Sequence, residues 1–378
     1  MAATGAGRLN ALFLNVTALF CCACPVIVIA QQAEDAVTPD DSTRAVSSTV
    51  ERLADRIPLV IAHRGASGYL PEHTTESAAY AHALGADFIE QDVVQTKDGH
   101  LVVLHDITLN AVTDVEERFP DRGRKGRHYV FDLTLAEVRS LRVRERHQSA
   151  ESRRFPAGSG EFQVSTLEEH IQLIQGLNRS TGTDRGLYVE IKKPAEHRSH
   201  GLDPSKAVLS LLKKYGYESR DDNVWIQCFD AHEIARIRTE LACQLPLVQL
   251  YGREPTEEQL QAAGKIVDAV GIPVSAVLTG VRDGGPQLSE VISRAHQASL
   301  VVHVWTHRDD RLPSGVENSR QLLEWLVLKG GASGIFTDHP DVVLKFRAAI
   351  QRSGPIRGPF HLLQGKPGPG SEKNRSDR

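Results

Sequence analysis

The chain is poor in cysteine, and most of its cysteines are clustered at one end. Of five in 378 residues, three lie among the first 24, which leaves Cys228 and Cys243 for the remainder. Two cysteines are too few for a disulfide framework, and their spacing does not suggest a thiolate metal site. They could pair in an oxidising compartment or remain as two buried free thiols.

An excess of charge of one sign is also missing. The formal net charge is −4, with 40 % apolar and 24 % charged residues. This composition is typical of a soluble globular protein and provides no broad positive surface for nucleic acid or an anionic membrane. We therefore expect a small-molecule partner, no nucleic acid and no stable membrane association; the oligomeric state is not predicted. An anionic substrate would need a metal ion or a few well-placed basic side chains.

Only the N-terminus has a long uncharged run, which follows Arg8 and extends to Ala30. Its dense apolar part is only about 13 residues, short of the roughly 20 needed to span a bilayer. Polar residues follow at once, so residues 1–30 are predicted to be a cleaved secretory signal. A membrane anchor is one alternative. Lipid attachment at Cys24 is another, although the residues before Ala23 fit that signal poorly.

The middle of the chain alternates between strand-like and helix-like patterns. Residues 31–55 are polar and predict a linker, residues 56–352 a catalytic domain, and residues 353–378 a disordered tail. Eight strands are each followed by a helical pattern, which predicts an α/β fold, the TIM (β/α)8 barrel. The predicted strands are 59–65, 88–94, 187–191, 224–229, 247–251, 269–272, 300–305 and 334–337.

Two features interrupt this alternation. Asp98-Gly99 joins the second strand to residues 101–105 with no room for a parallel crossover, so an antiparallel hairpin strand is predicted. Residues 107–162 are rich in charge and are interpreted as an insertion at the barrel mouth. Because charge runs usually form solvated faces, direct substrate contact is the less favoured interpretation of this insertion.

Acidic residues at strand ends predict a metal site. Glu90 and Asp92 lie two apart on one strand, so both side chains point to the same face. Two carboxylates that close repel each other unless a cation or a proton lies between them, and Glu190 on the next parallel strand could join them. Hard divalent cations prefer such oxygen ligands, and calcium tolerates irregular sets best. An ordinary polar rim is the alternative.

Basic and titratable residues accompany these carboxylates. His63 and His105 end neighbouring strands and suit an acid–base pair, although either could be a satisfied polar residue. Arg64 and Lys192 could bind phosphate oxygens. Together with a metal these groups indicate phosphoryl transfer. No serine nucleophile elbow, P-loop or dinucleotide glycine motif is present.

Several separated motifs resemble those of the glycerophosphodiester phosphodiesterase family, in particular its periplasmic branch. They are IAHRGASGYLPEHT, FIEQDVVQTKDGHLVVLHD, YVEIK, WIQCFD and IFTDHPD. The resemblance implies a TIM barrel in the periplasm. It implies that three carboxylates hold calcium (Mg²⁺ or another divalent cation being possible), two histidines share acid–base catalysis and two cations contact phosphate. Carried over residue by residue, these are Glu90, Asp92, Glu190, His63, His105, Arg64 and Lys192.

The resemblance extends to four further residues. Glu72 corresponds to an acidic residue near the metal, while Gln227, Phe229 and Trp305 align with pocket positions around glycerol; Trp305 could equally be barrel core. The implied reaction releases glycerol 3-phosphate from a deacylated phospholipid. Alternatives are a phospholipase-type enzyme acting on intact lipids and a surface-anchored binding protein built on the same barrel.

Overall fold

A computed structural model describes residues 57–147, 154–156 and 158–352. The predicted signal (1–30), linker (31–55) and tail (353–378) lie outside these residues and stay predictions. Within the described part of the chain, no helix is both long and apolar enough to cross a membrane.

Eight parallel strands in the described residues close into a barrel. Each pairs in parallel with the next along the chain, and β1 pairs with both β8 and β2. The predicted TIM barrel is therefore confirmed. The strands are β1 Leu59–Ala62, β2 Phe88–Gln95, β3 Gly186–Ile191, β4 Val224–Cys228, β5 Leu247–Leu250, β6 Ala269–Pro273, β7 Val301–His307 and β8 Gly334–Thr337.

Helices surround the barrel, and several begin at side-chain caps. The side chains of Thr166 and Thr256 each accept a hydrogen bond from a backbone N–H in the first turn. In return, the backbone N–H of each threonine donates to the side chain of Glu169 or Gln259. The barrel helices are α1 Thr75–Leu84, α2 Leu167–Thr181, α3 Pro204–Lys214, α4 Ala231–Thr239, α5 Glu257–Ala263, α6 Val291–Gln297, α7 Ser319–Leu323 (continued by a π-helical turn, Glu324–Lys329) and α8 Pro340–Arg352. Shorter α-helices are Val115–Arg118, Leu135–Arg139, Pro194–Ser199 and Val274–Val277, with 3₁₀ turns at Pro120–Arg122 and Val130–Asp132.

The hairpin strand forms as predicted. Leu101–Val103 pairs antiparallel with the end of β2, so that Gln95 faces Leu101. Gly99 has a φ of 82°, which a glycine adopts without steric cost. The hairpin carries His105 back toward the end of β2.

The charged insertion is more than the predicted solvated excursion. Its apolar residues form a second buried cluster that includes Leu109, Val130 and Leu141, and Phe162 joins it from a short ribbon, Arg142–Val143 with Phe162–Gln163. The many charges around these residues conceal their spacing in the sequence. The described residues of the insertion therefore form a packed subdomain at the mouth of the barrel.

One predicted helix begins later than expected. The prediction placed it over 288–298, but α6 starts at Val291, because Leu278–Arg282 and Gly285–Leu288 pair as an antiparallel ribbon. The Asp283-Gly284 turn between them has both φ angles positive, as a tight hairpin requires. The two cysteines, Cys228 and Cys243, are buried and unpaired.

Candidate active site

The three predicted metal ligands meet at the carboxyl ends of two adjacent strands. Asp92 on β2 lies opposite Glu190 on β3 in the parallel register, and Glu90 is two residues earlier on β2. One ligand oxygen from each lies within 4.8 Å of the others, and all three side chains are buried. The structure thus brings together residues that are about a hundred positions apart in the chain.

Neighbouring groups fix each carboxylate. Glu90 accepts hydrogen bonds from the Gln227 side-chain amide (2.7 Å) and from the Arg64 backbone N–H (2.9 Å). Glu190 Oε1 lies 2.7 Å from Lys192 Nζ. Gln227 therefore contacts a carboxylate and also lines the catalytic cavity.

Asp92 is held on one side only. Its Oδ2 lies 2.7 Å from His73 Nε2. Its Oδ1 is buried with no hydrogen-bond partner among the described residues, and Lys192 Nζ is 3.8 Å away. A buried charged oxygen without a partner is costly, so this atom has the character of a ligand atom.

The electrostatics of the triad favour a cation. Burial, followed by the charges of Asp92 and Glu190, raises the pKa of Glu90 well above its ordinary value. Burial also raises the pKa of Glu190 to about 8, although Lys192 opposes the shift. Burial would raise the pKa of Asp92 too, but Lys192 and His73 outweigh it and hold that pKa well below its ordinary value. Glu90, Asp92 and Glu190 fit a hard divalent cation, which would compensate the surplus negative charge.

Both predicted histidines lie beside the triad. His63 follows β1, and its Nδ1 lies 2.6 Å from Asp338 Oδ1, while its Nε2 is 3.9 Å from Glu90 Oε2. His105 follows the hairpin strand, and its Nδ1 lies 2.7 Å from Asp106 Oδ1. In each case a carboxylate orients the imidazole and leaves the second nitrogen for chemistry.

The pKa of each histidine is lowered. Burial, helped by the charge of Arg64, lowers the pKa of His63 to about 4, so this imidazole is neutral at neutral pH. Burial also lowers the pKa of His105, although its bond to Asp106 opposes the shift. A neutral imidazole held by a carboxylate can accept a proton.

The two predicted phosphate-binding cations face the same cavity of about 300 Å³. Arg64 has a φ of 56°, and its guanidinium lies 3.0 Å from Glu72. Glu72 also receives two hydrogen bonds from Arg146, at 2.7 and 2.8 Å. Glu72 therefore orients two arginines and lies outside the triad itself.

An aromatic wall closes one side of the cavity. Phe229 and Trp305 meet edge to face with ring centroids 5.9 Å apart, and Lys192 Nζ lies 5.7 Å from the Phe229 centroid. Both aromatic residues line the cavity, and Trp305 also packs against the apolar cluster inside the barrel, so it has features of both predicted alternatives. Apolar surface next to phosphate-binding groups suits the carbon face of a small polyol.

Sequence reasoning missed several side chains that support the site. Asp106 orients His105, and Asp338 orients His63. Both aspartates lie in motifs already recognised, Asp106 directly after His105 and Asp338 in TDHP, and these positions could have indicated their roles. Arg146 and Arg154 come from the insertion and line the cavity. The preference for a wholly solvated charge run was wrong for these two arginines.

Comparison with known proteins agrees with this geometry. A model of the glycerophosphoryl diester phosphodiesterase family matches residues 63–342. The chain belongs to this family. A glycerophosphodiester phosphodiesterase of Haemophilus influenzae is 39 % identical over 78 % of this chain and 90 % of its own length. A glycerophosphodiester phosphodiesterase of Treponema pallidum is 36 % identical over 76 % of this chain and 91 % of its own length. The chain is accordingly an enzyme of this class, a hydrolase of phosphoric diesters.

Solved structures of other phosphodiesterases share the fold. A phosphodiesterase of Oleispira antarctica, in complex with the product sn-glycerol-3-phosphate, superposes with a TM-score of 0.56 at 22 % identity, over 77 % of this chain and 96 % of that one. A glycerophosphodiester phosphodiesterase of Agrobacterium tumefaciens superposes with a TM-score of 0.52 at 19 % identity, over 77 % of this chain and 99 % of that one.

Proposed function

We propose that the enzyme hydrolyses deacylated phospholipids, such as glycerophosphocholine and glycerophosphoethanolamine, in a reaction that depends on a divalent cation. The products are sn-glycerol 3-phosphate and the free alcohol. The observation that carries this proposal is the buried carboxylate triad beside two carboxylate-bound histidines, in which Asp92 Oδ1 accepts no hydrogen bond from the described residues. Calcium is the proposed cation, since three irregularly placed carboxylates suit it better than Mg²⁺.

Substrate binding depends on charge from both cation and side chains. A divalent cation held by Glu90, Asp92 and Glu190 would draw negative charge from the phosphoryl oxygens. Arg64 and Lys192 would contact the same oxygens, and Phe229 and Trp305 would pack against glycerol. Glu72 would keep Arg64 in position.

The two histidines would move the protons. His63, neutral at pH 7, takes the proton of the glycerol 2-hydroxyl as that oxygen bonds to phosphorus. The bond from phosphorus to the departing alcohol breaks, and His105, protonated once the anionic phosphate is bound beside it, gives that proton to the leaving oxygen. Water then opens the cyclic phosphate with the roles reversed, which restores both histidines. Direct attack by water, with His63 as the base, is the competing route.

The proposed role is recovery of glycerol and phosphate in the periplasm, after export by the signal over residues 1–30. Support comes from the N-terminal sequence pattern alone. Mass analysis of the mature N-terminus tests this proposal: we expect a chain that starts near Gln31 and carries no lipid. A lipid on Cys24 would contradict it.

The activity is tested with purified protein and glycerophosphocholine. We expect equal amounts of glycerol 3-phosphate and choline, loss of the reaction with chelator, and recovery with added calcium. Release of phosphocholine and glycerol would mean that the wrong phosphoester bond is broken. Unchanged turnover with chelator would contradict the metal dependence.

A further inference from the structure

A second, wider depression of about 1340 Å³ opens beside the catalytic cavity. It lies between the insertion and the segment after β3, and we call it the outer groove. The outer groove and the cavity share four lining residues: His105, Glu190, Lys192 and Phe229. Phe229, 45 % exposed, lies on the rim between them. A molecule bound in the cavity can therefore extend into the outer groove.

The walls of the outer groove carry an excess of positive charge. Arg124, Lys125, Arg127 and Lys193 line it beyond the shared residues. Among the acidic residues there, Asp106 is bonded to Arg146 at 2.7 Å and Asp230 caps the first turn of α4. Glu196, the remaining acid beyond the shared residues, lies 4.0 Å from Lys193, so each of these acids has a partner within the protein.

Two of the cations have no such partner. Lys125 and Arg127 are exposed and form no ion pair within the described part of the chain. By contrast, Arg124 lies 2.9 Å from Asp132, and Lys193 lies 4.0 Å from Glu196. Lys125 and Arg127 are therefore available to a ligand.

A tight turn presents these two side chains. Arg124 and Arg127 exchange two backbone hydrogen bonds, at 2.8 and 3.1 Å. Lys125 and Gly126 between them have φ angles of 51° and 75°, both positive as in a type I′ turn. Asn110 donates a hydrogen bond from its side chain to the Gly126 carbonyl. The cations are thus fixed to the subdomain by backbone geometry.

The floor of the outer groove is aromatic. Tyr129 stacks on Phe131 with centroids 5.2 Å apart, and His200 stacks on the same ring at 3.9 Å. The Arg124 guanidinium lies 4.8 Å from the Tyr129 centroid. Aromatic faces bordered by cations suit a ring-shaped polyol that carries negative charge.

His105 shows which half of the substrate reaches the outer groove. It lines both the cavity and the outer groove, whereas His63 lines the cavity. In the proposed reaction His105 protonates the departing oxygen, so the leaving alcohol lies on its side. The glycerol half remains inside, against the aromatic wall.

We propose that the outer groove binds the leaving alcohol and favours alcohols that carry their own anionic group, such as a phosphate monoester on a polyol ring. Lys125 and Arg127 contact that group, and the ring packs against Tyr129 and the exposed His200, which cover the buried Phe131. This proposal rests on the proposed hydrolysis of glycerophosphodiesters. It concerns which diester is preferred, beyond the fact of hydrolysis.

The test compares three substrates: glycerophosphocholine, glycerophosphoinositol, and glycerophosphoinositol with a phosphate monoester on the inositol ring. The groove variant is Lys125→Gln/Arg127→Gln. The control variant, Arg179→Gln/Lys265→Gln, removes two exposed charges near the opposite end of the barrel, one in the last turn of α2 and one just after α5. Both variants change the net charge equally, so long-range attraction is matched.

We expect wild type to have the highest kcat/KM on the phosphorylated substrate. In the groove variant, the ratio of kcat/KM on the phosphorylated substrate to kcat/KM on glycerophosphocholine should fall about three- to tenfold. A loss of this size is what two exposed ion pairs contribute, and it should appear mainly as a higher KM. The control variant should keep the wild-type ratio. Added salt should reduce the preference of wild type.

Three results would overturn the proposal while leaving hydrolysis intact. The first is equal kcat/KM for all three substrates. The second is an equal loss in the groove and control variants. The third is a groove variant that keeps the wild-type ratio of kcat/KM between the phosphorylated substrate and glycerophosphocholine but binds phosphatidylglycerol vesicles more weakly than wild type. That result would assign these cations to contact with a membrane surface. If wild type hydrolyses none of the three diesters, the proposed function itself is wrong.

Discussion

Single carboxylates determine what each histidine can do. Asp338 accepts a hydrogen bond from His63 and also pairs with Arg154, so it connects the catalytic cavity to the insertion. Asp106 does the same for His105, with Arg146 as its other partner. Each histidine is therefore oriented by a residue that is itself fixed by an arginine from the insertion.

Removing the charge of Asp338 should slow turnover through His63. We expect Asp338→Asn to lower kcat about 10- to 100-fold, less than loss of the base itself, which contributes roughly 100- to 10,000-fold. Calcium affinity should be unchanged, because Asp338 does not contact the triad. Steady-state kinetics and calcium titration check this, and thermal unfolding verifies that the variant is folded. A large loss of calcium affinity would contradict a role limited to positioning His63.

Substrates with different leaving groups distinguish the general acid from the general base. We expect His105→Ala to lose about 100- to 10,000-fold in kcat on glycerophosphocholine. It should lose far less on a glycerophosphodiester of p-nitrophenol, because that anion departs without a proton. His63→Ala should be impaired on both substrates alike. The assignment of His105 as the acid fails if the two variants respond in the same way.

Turn chemistry decides how well individual elements could be predicted. Asp98-Gly99 identified the hairpin that carries His105, because so short a link excludes a parallel crossover. Asp283-Gly284 is the same signal, yet the ribbon that it joins was not predicted, and the helix predicted over 288–298 was placed three residues too early. The insertion resisted prediction because its apolar residues are spread among charges, and long-range contacts such as Arg154 with Asp338 leave no local signal.

Glycines inside the barrel make room for large side chains. A Cβ at Gly186 would lie 2.3 Å from Phe88 and 2.6 Å from the Asn223 carbonyl oxygen. We expect Gly186→Ala to destabilise the fold by about 1–3 kcal/mol, the usual effect of overpacking. Denaturant unfolding measures this value.

Gly176 provides the matched control. It lies within α2, where an added Cβ would meet no atom within 4 Å. Gly176→Ala should stabilise the protein by roughly 0.5–1 kcal/mol, because alanine loses less backbone freedom in a helix. Equal effects of the two substitutions would contradict the packing argument.

On the scale of the whole molecule, the barrel brings together ligands that the chain keeps apart. Counting β/α units predicted the closure, and strand-end residues predicted the triad, the histidines and the two cations. The contact of Gln227 with Glu90 could not be predicted, because it depends on the register of β3 and β4 across the barrel. The roles of Arg146 and Arg154 depend on how the insertion folds over the mouth.

The most direct measurement is a calcium titration by isothermal calorimetry of wild type, Glu90→Gln and Glu190→Gln, with His105→Ala as the control. The account predicts one site for each wild-type chain, strongly weakened binding in both Glu→Gln variants, and wild-type affinity in His105→Ala. Binding that survives both Glu→Gln substitutions would contradict the claim that these carboxylates hold one cation between them.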